Sequence, residues 1–425
     1  MPEFSHPNET VFTWAAPPIK FGLGATNEIG HDLAALGVRR AAIVTDPGVA
    51  ATGLPGRVAD LIAAADIEAE VFDGVHVEPT DASINEAAAW ARARNLDGFV
   101  AVGGGSSIDT AKAMNLFATN EGEVLDYLNA PIGRALAPKN PLRPLVAVPT
   151  TAGTGSESTA VCVLDVLHLK VKTGISHARL RPTMAVVDPL NTVSVPPNVT
   201  ASTGMDVLCH ALESFTARPF DARPRYPSPD KRVAYNGANP ISDLWSAHAL
   251  ELLGRYFRRA VHSPYDLEAR EGMMRAAMYA GIGFGNAGVH IPHACAYPIA
   301  GMVRDYRPPD YPQAEPMVPH GLSVVLTAPA AFRFTYPACP ERHREAARLL
   351  GGDPSLGADA LPEAIVSLCR DVGIPNGLAA IGYGPEDVDG LVDGALKQQR
   401  LLAVAPRDVD GEALGAIFRA SMANW

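Results

Sequence analysis

From residue 19 to residue 188 short apolar runs alternate with stretches of helical periodicity, and after Asp188-Pro189 the alternation stops. Residues 41–45 read as a buried strand, 54–65 as an amphipathic helix and 67–72 as another strand. Residues 84–94 are again helical, while 98–102, 144–148 and 184–187 are strand-like. Repeated strand–helix–strand units at this spacing predict a parallel sheet with helices on both faces. Residues 161–175, two strand-like runs about a short turn, predict a hairpin attached to that sheet. Beyond Asp188 helical patterns recur at 204–215, 241–260, 267–284, 341–350, 362–372 and 385–398. A chain of 425 residues is too long for one ordinary core. The expectation is an α/β domain over 1–195 and an all-helical domain over 196–425. Residues 218–240, rich in proline, arginine and glycine, read equally well as a solvated loop and as a lid or interface arm.

The formal charge of −11 opposes a phosphate backbone, so nucleic acid is not an expected partner. An anionic substrate would need a local cluster of cations. Five scattered cysteines without a CxxC pair argue for a reducing compartment and against a disulfide framework. No apolar run is long enough to span a bilayer, so no membrane association is expected. Residues 1–13 hold no basic stretch and no apolar core. These features together predict a cytoplasmic protein.

Gly103-Gly-Gly-Ser-Ser-Ile-Asp109 follows a predicted strand and opens a helix. Glycines there allow close approach of a pyrophosphate to helix-start amides. The pattern is not GxGxxG, and alone it could be a plain tight turn. Asp46 ends the first strand, where a carboxylate can take adenine-ribose hydroxyls and repel a 2′-phosphate, favouring NAD over NADP. Pro149-Thr-Thr-Ala-Gly-Thr-Gly-Ser-Glu157 supplies small and hydroxyl side chains after a third strand. Three such loops point to a nucleotide at the carboxyl edge of the sheet.

In the second half Asp206 and His210 are four residues apart, on one face of a predicted helix. His293 follows a glycine-rich helix end, and His320 precedes an apolar run. One carboxylate with three imidazoles suits Fe²⁺ or Zn²⁺ better than Ca²⁺ or Mg²⁺. Such an ion would act as a Lewis acid on a substrate oxygen. Spacing alone does not prove that the four converge.

The glycine turn, the 149–157 run, Gly204-Met-Asp-x-x-x-His210 with Glu213, His293 and Pro319-His320-Gly321 together resemble the iron-containing alcohol dehydrogenases over nearly the whole chain. Residues 168–174, 206–214, 239–243, 281–290 and 318–329 are most similar to the branch that passes hydride between a hydroxy acid and an oxo acid. The resemblance implies a dehydroquinate synthase-like fold: a dinucleotide-binding α/β domain, a helical metal domain and an active site in the cleft between them. It implies Asp206, His210, His293 and His320 as metal ligands. It implies Asp46, Gly103, Gly104, Gly105, Ser106, Ser107, Asp109, Thr150, Thr151, Thr154 and Lys172 as contacts of an NAD that is held tightly. The implied exchange is 4-hydroxybutyrate with 2-oxoglutarate, in a homo-oligomer. Many family members carry a second histidine four residues beyond the third ligand; Tyr297 stands there, able to donate a hydrogen bond to substrate or simply to pack. Arg304 and Arg307, between two ligands, are candidates for the substrate carboxylate, with solvated loop charges as the plainer reading. The alternatives are an NAD-dependent dehydrogenase of small primary alcohols, a carbon–oxygen lyase and a non-catalytic metal protein.

Overall fold

The computed structural model describes residues 6–169 and 171–425. The chain divides into two compact units. One comprises residues 16–200 and 263–274; the other comprises 201–262, 275–425 and the described residues before 16.

The first unit holds a six-stranded sheet of β1 (Ile19–Phe21), β2 (Arg40–Val44), β3 (Glu68–Phe72), β4 (Gly98–Gly103), β5 (Leu145–Pro149) and β8 (Met184–Val187). The order is β1-β8-β5-β4-β2-β3, and every pairing is parallel. Alternate residues of one strand feed opposite cores, as the pleat requires. Ile43, Val100, Val102, Val146 and Val148 pack on one face with Ile29, Leu33, Val58 and Ile62. These last four lie on α1 (Ile29–Ala35) and α3 (Leu54–Ala63), the short α2 (Pro47–Ala50) falling between β2 and α3. Ala42, Val44, Phe99, Ala101 and Ala147 pack on the other face with Ala87, Ala91, Ile108 and Met114. Those come from α4 (Asp81–Arg92) and α5 (Gly105–Thr119), and the single turn α6 (Val124–Tyr127) follows. Burial on both faces is why these strands read as near-continuous apolar runs. β1 has only three residues, too few to show a period, and sequence periodicity passes over it.

The predicted hairpin forms, as β6 (Val161–Val166) and β7 (Val171–Ser176), but as a separate two-stranded antiparallel sheet. Side chains of α5 take its edge groups in place of a neighbouring strand. Lys112 Nζ donates to Val161 O at 2.7 Å, and Val163 N donates to Asp109 Oδ2 at 2.8 Å. Lys112 is fully buried and also reaches Ser156 Oγ (2.6 Å), Thr159 Oγ1 (3.2 Å) and Asp109 Oδ1 (3.4 Å). Burial draws this lysine down from its ordinary value against the pull of Asp109.

The second unit is helical, with α7 (Pro197–Thr216) from Ala201, α8 (Pro240–His262), α9 (Leu267–Ala287) from Arg275, α10 (Ile291–Gly301) and α11 (His320–Val325) leading the series. α12 (Ala328–Thr335), α13 (Pro340–Leu349), α14 (Ala360–Asp371), α15 (Val388–Leu396), α16 (Gln399–Leu402) and α17 (Gly411–Ala420) complete it. The apolar α10 packs against α11 and α15, and α12 against α14. The proline-rich stretch 218–240 is pinned to this unit at both ends, by Arg218 N to Val404 O (2.8 Å) and Gly237 N to Ala287 O (3.0 Å). Among the described residues all five cysteines are free, and no helix is long and apolar enough to cross a membrane.

Replacing Lys112 with Met leaves the Asp109 carboxylate buried without its cation. Loss of one partner from a buried ion pair costs about 3–5 kcal/mol. The expected result is a lower unfolding midpoint in denaturant; an unchanged midpoint would show that the lysine contributes nothing to stability.

Candidate metal centre and nucleotide cradle

Asp206 and His210 are one turn apart on α7 and leave the same face of that helix. His293 lies in the first turn of α10, and His320 opens α11. One oxygen organises the group. Asp206 Oδ1 stands 3.6 Å from His210 Nε2, 3.6 Å from His293 Nε2 and 3.8 Å from His320 Nε2. These separations are too long for hydrogen bonds. They approach the about 3.4 Å expected between two donors that share a tetrahedral ion at about 2.1 Å. The donor atoms of Asp206, His293 and His320 lie within 4.8 Å of one another, and His210 adjoins this triad through the same oxygen.

Asp206 Oδ1 and His293 Nε2 are buried without a hydrogen-bond partner. Orphaned buried polar atoms are costly, and a cation among them removes the cost. The residues fit a divalent ion of the iron or zinc class. Electrostatics agree. Burial pushes the Asp206 carboxyl up, but His210, His320 and His293 outweigh it and hold it below the usual carboxylate range. Burial draws His210 down to about 3, leaving the neutral imidazole that a metal requires. Burial also opposes charge on His293, yet Glu213 and Asp206 outweigh it and raise this imidazole to about 9. The site attracts a positive charge.

Glu213 is the functional residue to which sequence reasoning assigned no role. It is fully buried, and its Oε1 lies 2.6 Å from His293 Nδ1 while Oε2 accepts from the backbone N of His290. It therefore fixes the ring of a ligand whose Nε2 faces Asp206. The signal was legible: Glu213 is three residues beyond His210 and seven beyond Asp206, on one helical face. Phe284 stacks on His210 at 3.8 Å between ring centres and 5° between planes. Gly321 allows the close approach of α11 to α7, since a Cβ there would stand 1.9 Å from Ser202 O and 2.9 Å from Asp206 Cβ. Tyr297 is buried one turn along α10 from His293, its ring centre 6.5 Å from that of His320. Arg304 and Arg307 are engaged at the surface. Arg304 pairs with Asp387, and Arg307 donates to Gln313 O (3.2 Å) and Asp305 O (3.1 Å).

In the first unit β2 and β3 lie on one side, and β4 and β5 continue on the other. The loops after β2 and β4 thus flank a topological switch point, where open α/β sheets bind ligands. Asp46 follows β2, Gly103 ends β4 and Gly105 opens α5. Ser107 Oγ donates to Asp46 Oδ2 at 3.2 Å, and Thr150 N donates to Gly103 O at 3.0 Å. A Cβ on Gly103 would meet Ser107 Oγ at 2.2 Å, and one on Gly105 would meet Thr154 Cγ2 at 2.5 Å. Gly104 faces Thr151 Oγ1, 3.3 Å from where its Cβ would be. The three loops nest because these residues lack side chains, and the start of α5 offers its first amides there. Ser106 Oγ accepts from Glu78 N at 3.1 Å. Lys172 is buried and pairs with Glu78 Oε2 (2.5 Å) and Asp165 Oδ2 (3.1 Å), so it stays charged despite burial. Asp109 is directed inward, holding Ser156, Lys112 and the hairpin.

A parallel-sheet unit with this cradle and a helical unit with a carboxylate–imidazole metal centre define a metal-dependent dehydrogenase architecture. The family described as "Iron-containing alcohol dehydrogenase" matches residues 16–189, and "Fe-containing alcohol dehydrogenase family, C-terminal" matches 233–422. The chain belongs to the iron-containing alcohol dehydrogenase family. It is a metal-dependent oxidoreductase acting on CH–OH groups, and the family implies NAD and a divalent metal, typically iron. It is 48% identical to the mitochondrial hydroxyacid-oxoacid transhydrogenase of Bos taurus, over 97% of this chain and 90% of the relative. Among solved structures, a 1,3-propanediol oxidoreductase is 32% identical with a TM-score of 0.84, covering 97% of this chain and 100% of its own. A sulfoacetaldehyde reductase from Bifidobacterium kashiwanohense in complex with NAD+ is 30% identical with a TM-score of 0.80, covering 97% and 98%.

The expectation of a cytoplasmic protein is corrected by these relatives, since the bovine, rat and mouse proteins are all named as mitochondrial. The physical reason is plain. Free cysteines and an acidic composition suit any reducing compartment, so they do not single out the cytosol.

Replacing Glu213 with Gln keeps the shape but weakens the bond that orients His293. Such supporting partners are worth roughly 10–100-fold in metal affinity. A competition titration with a chromophoric chelator is expected to show that loss; unchanged affinity would remove Glu213 from the metal centre.

Proposed function

We propose that this enzyme is a hydroxyacid–oxoacid transhydrogenase. It converts a hydroxy acid such as 4-hydroxybutyrate to succinate semialdehyde and, with the same hydride, 2-oxoglutarate to 2-hydroxyglutarate. The observation that carries the reading is the 48% identity, across 97% of the chain, to a protein of that name. The arrangement of side chains supports it. Held by Asp206, His210, His293 and His320, an iron ion (or zinc in its place) supplies Lewis-acid polarisation of a substrate carbon–oxygen bond. Glu213 keeps His293 oriented, and Asp206 keeps the negative charge that retains the cation. Gly103, Gly104, Gly105, Ser106 and Ser107, with Thr150, Thr151 and Thr154, cradle the pyrophosphate of a tightly held NAD. Asp46 takes the adenine-ribose hydroxyls and disfavours a 2′-phosphate. Asp109 and Lys172 shape the cradle from behind, and Tyr297 donates a hydrogen bond toward the substrate oxygen.

The second reading, a dehydrogenase of small primary alcohols, is favoured by the likeness to the 1,3-propanediol oxidoreductase. The two differ in whether the cofactor must exchange. Purified protein freed of loose nucleotide is expected to form succinate semialdehyde from 4-hydroxybutyrate only when 2-oxoglutarate is present, without added NAD. Turnover that requires added NAD⁺ and releases NADH would establish the second reading instead.

Arg304 and Arg307 are proposed to bind the acid's carboxylate. Replacing either with Ala is expected to raise KM for 2-oxoglutarate by about tenfold, as for one lost charged hydrogen bond, with little change for a neutral aldehyde. Equal changes for both substrates would exclude the role.

A further inference from the structure

A second concave site lies in the first unit, at the other edge of the six-stranded sheet. A cavity of about 210 Å³ opens beside Leu145, the first residue of β5, and Thr183, which precedes β8. The glycine turn and the 150–154 run lie beyond the opposite ends of the strands. Five residues of strand put ~16 Å between the two edges. The cavity is therefore separate from the nucleotide cradle, and its lining includes none of the metal-centre residues.

Three arginines, Arg143, Arg179 and Arg181, are among the residues that line it, and none of the lining residues is acidic. Arg179 Nη1 is held by the carbonyls of Pro138 (2.9 Å), Lys139 (3.0 Å) and Asn140 (3.0 Å). Arg181 Nε donates to Ser158 O at 3.0 Å. These bonds place the two heads without neutralising them. Asn115 grips the backbone of Arg143 on both sides, accepting from its N (3.0 Å) and donating to its O (2.8 Å). Among the described residues the Arg143 guanidinium itself has no protein acceptor.

The contrast with other arginines is informative. Asp387, Asp243 and Glu345 raise Arg304, Arg342 and Arg348 above the ordinary value. Arg181 is instead drawn down by burial, with no carboxylate opposing the shift. In a chain of net charge −11, three arginines in the lining of one cavity with no acidic residue in that lining are not part of a generally basic surface. Like charges held together repel, and an anion among them reverses the sign of that energy.

We propose that this cavity binds a compact dianion, the shared chemistry of inorganic phosphate and of a short dicarboxylate. The guanidinium fork matches both, offering paired N–H groups to two oxygens. The volume restricts the ligand to a small one, since drug-sized ligands occupy roughly 300–1,000 Å³. The inference does not depend on the transhydrogenase reading.

The test is calorimetric titration of the full-length enzyme, holding its metal and NAD, with inorganic phosphate and separately with succinate. Sodium chloride at matched ionic strength controls for screening. Arg143→Gln is the informative variant, because that guanidinium supports no other part of the fold. Saturable binding is expected in at least one arm, weakened about tenfold or more by Arg143→Gln. Arg143→Lys, which keeps the charge but loses the fork, is expected to fall between. A larger loss in the phosphate arm assigns phosphate, and a larger loss in the succinate arm assigns a dicarboxylate. Binding of succinate at the reaction site would survive Arg143→Gln and is thereby separated. No saturable binding in either arm, or equal affinity in wild type and Arg143→Gln, overturns the proposal.

Discussion

A single carboxylate oxygen, Asp206 Oδ1, is buried among three imidazole nitrogens at 3.6–3.8 Å, and much of the helical unit is arranged to keep it there. Two carboxylates, Asp206 and Glu213, are buried in this group. With neutral imidazoles they leave two negative charges in a low-dielectric interior, which is untenable without compensation. A divalent cation restores neutrality, and the same two carboxylates are what raise the His293 imidazole against its burial. The preference for a dication is thus set by charge balance as well as by ligand type.

Close approach of backbones provides the precision. At Gly321 a side chain would collide with Ser202 O, and at Gly103 and Gly105 one would collide with Ser107 and Thr154. Each glycine permits two elements to come near enough that their functional atoms share one small volume. Behind the cradle, the buried Lys112 ties α5 to the 156–161 segment through three acceptors there, with Asp109 on α5 itself a fourth partner. A fully buried lysine is retained there because one flexible cation can satisfy several acceptors from different loops, which no apolar side chain could do.

The sequence was most legible where a period was strong. Buried parallel strands such as Val146–Val148 read clearly, and so did the four-residue spacing of Asp206 and His210 on α7. Convergence of His293 and His320 on the same oxygen depends on how α10 and α11 pack, and no spacing encodes that. The family resemblance supplied it. The three-residue β1 was too short to register, and the hairpin's independence depended on α5 side chains that its own pattern does not contain. Glu213 could have been found from its position on the α7 face. The Arg143–Arg179–Arg181 cavity could not, because those residues meet only through the tertiary fold. Cellular location was misread since composition distinguishes oxidising from reducing compartments and nothing finer.

Tyr297 bears on the choice between the two enzymatic readings through proton balance. A dehydrogenase that releases reduced cofactor also releases one proton per turnover, and an imidazole near the substrate is suited to carry it to solvent. A phenol lacks the second ring nitrogen by which an imidazole takes a proton on one side and gives it up on the other. Transhydrogenation has a different ledger. One hydroxyl substrate loses a hydride and a proton, the oxo substrate gains both, and no net proton leaves. A site that completes that exchange needs a hydrogen-bond donor near the substrate oxygen more than it needs a conduit to bulk water. Tyr297, buried on α10 one turn from His293, is the residue proposed for that donor role. Tyrosine at this position is therefore consistent in chemistry with an enzyme whose two half-reactions exchange the same proton.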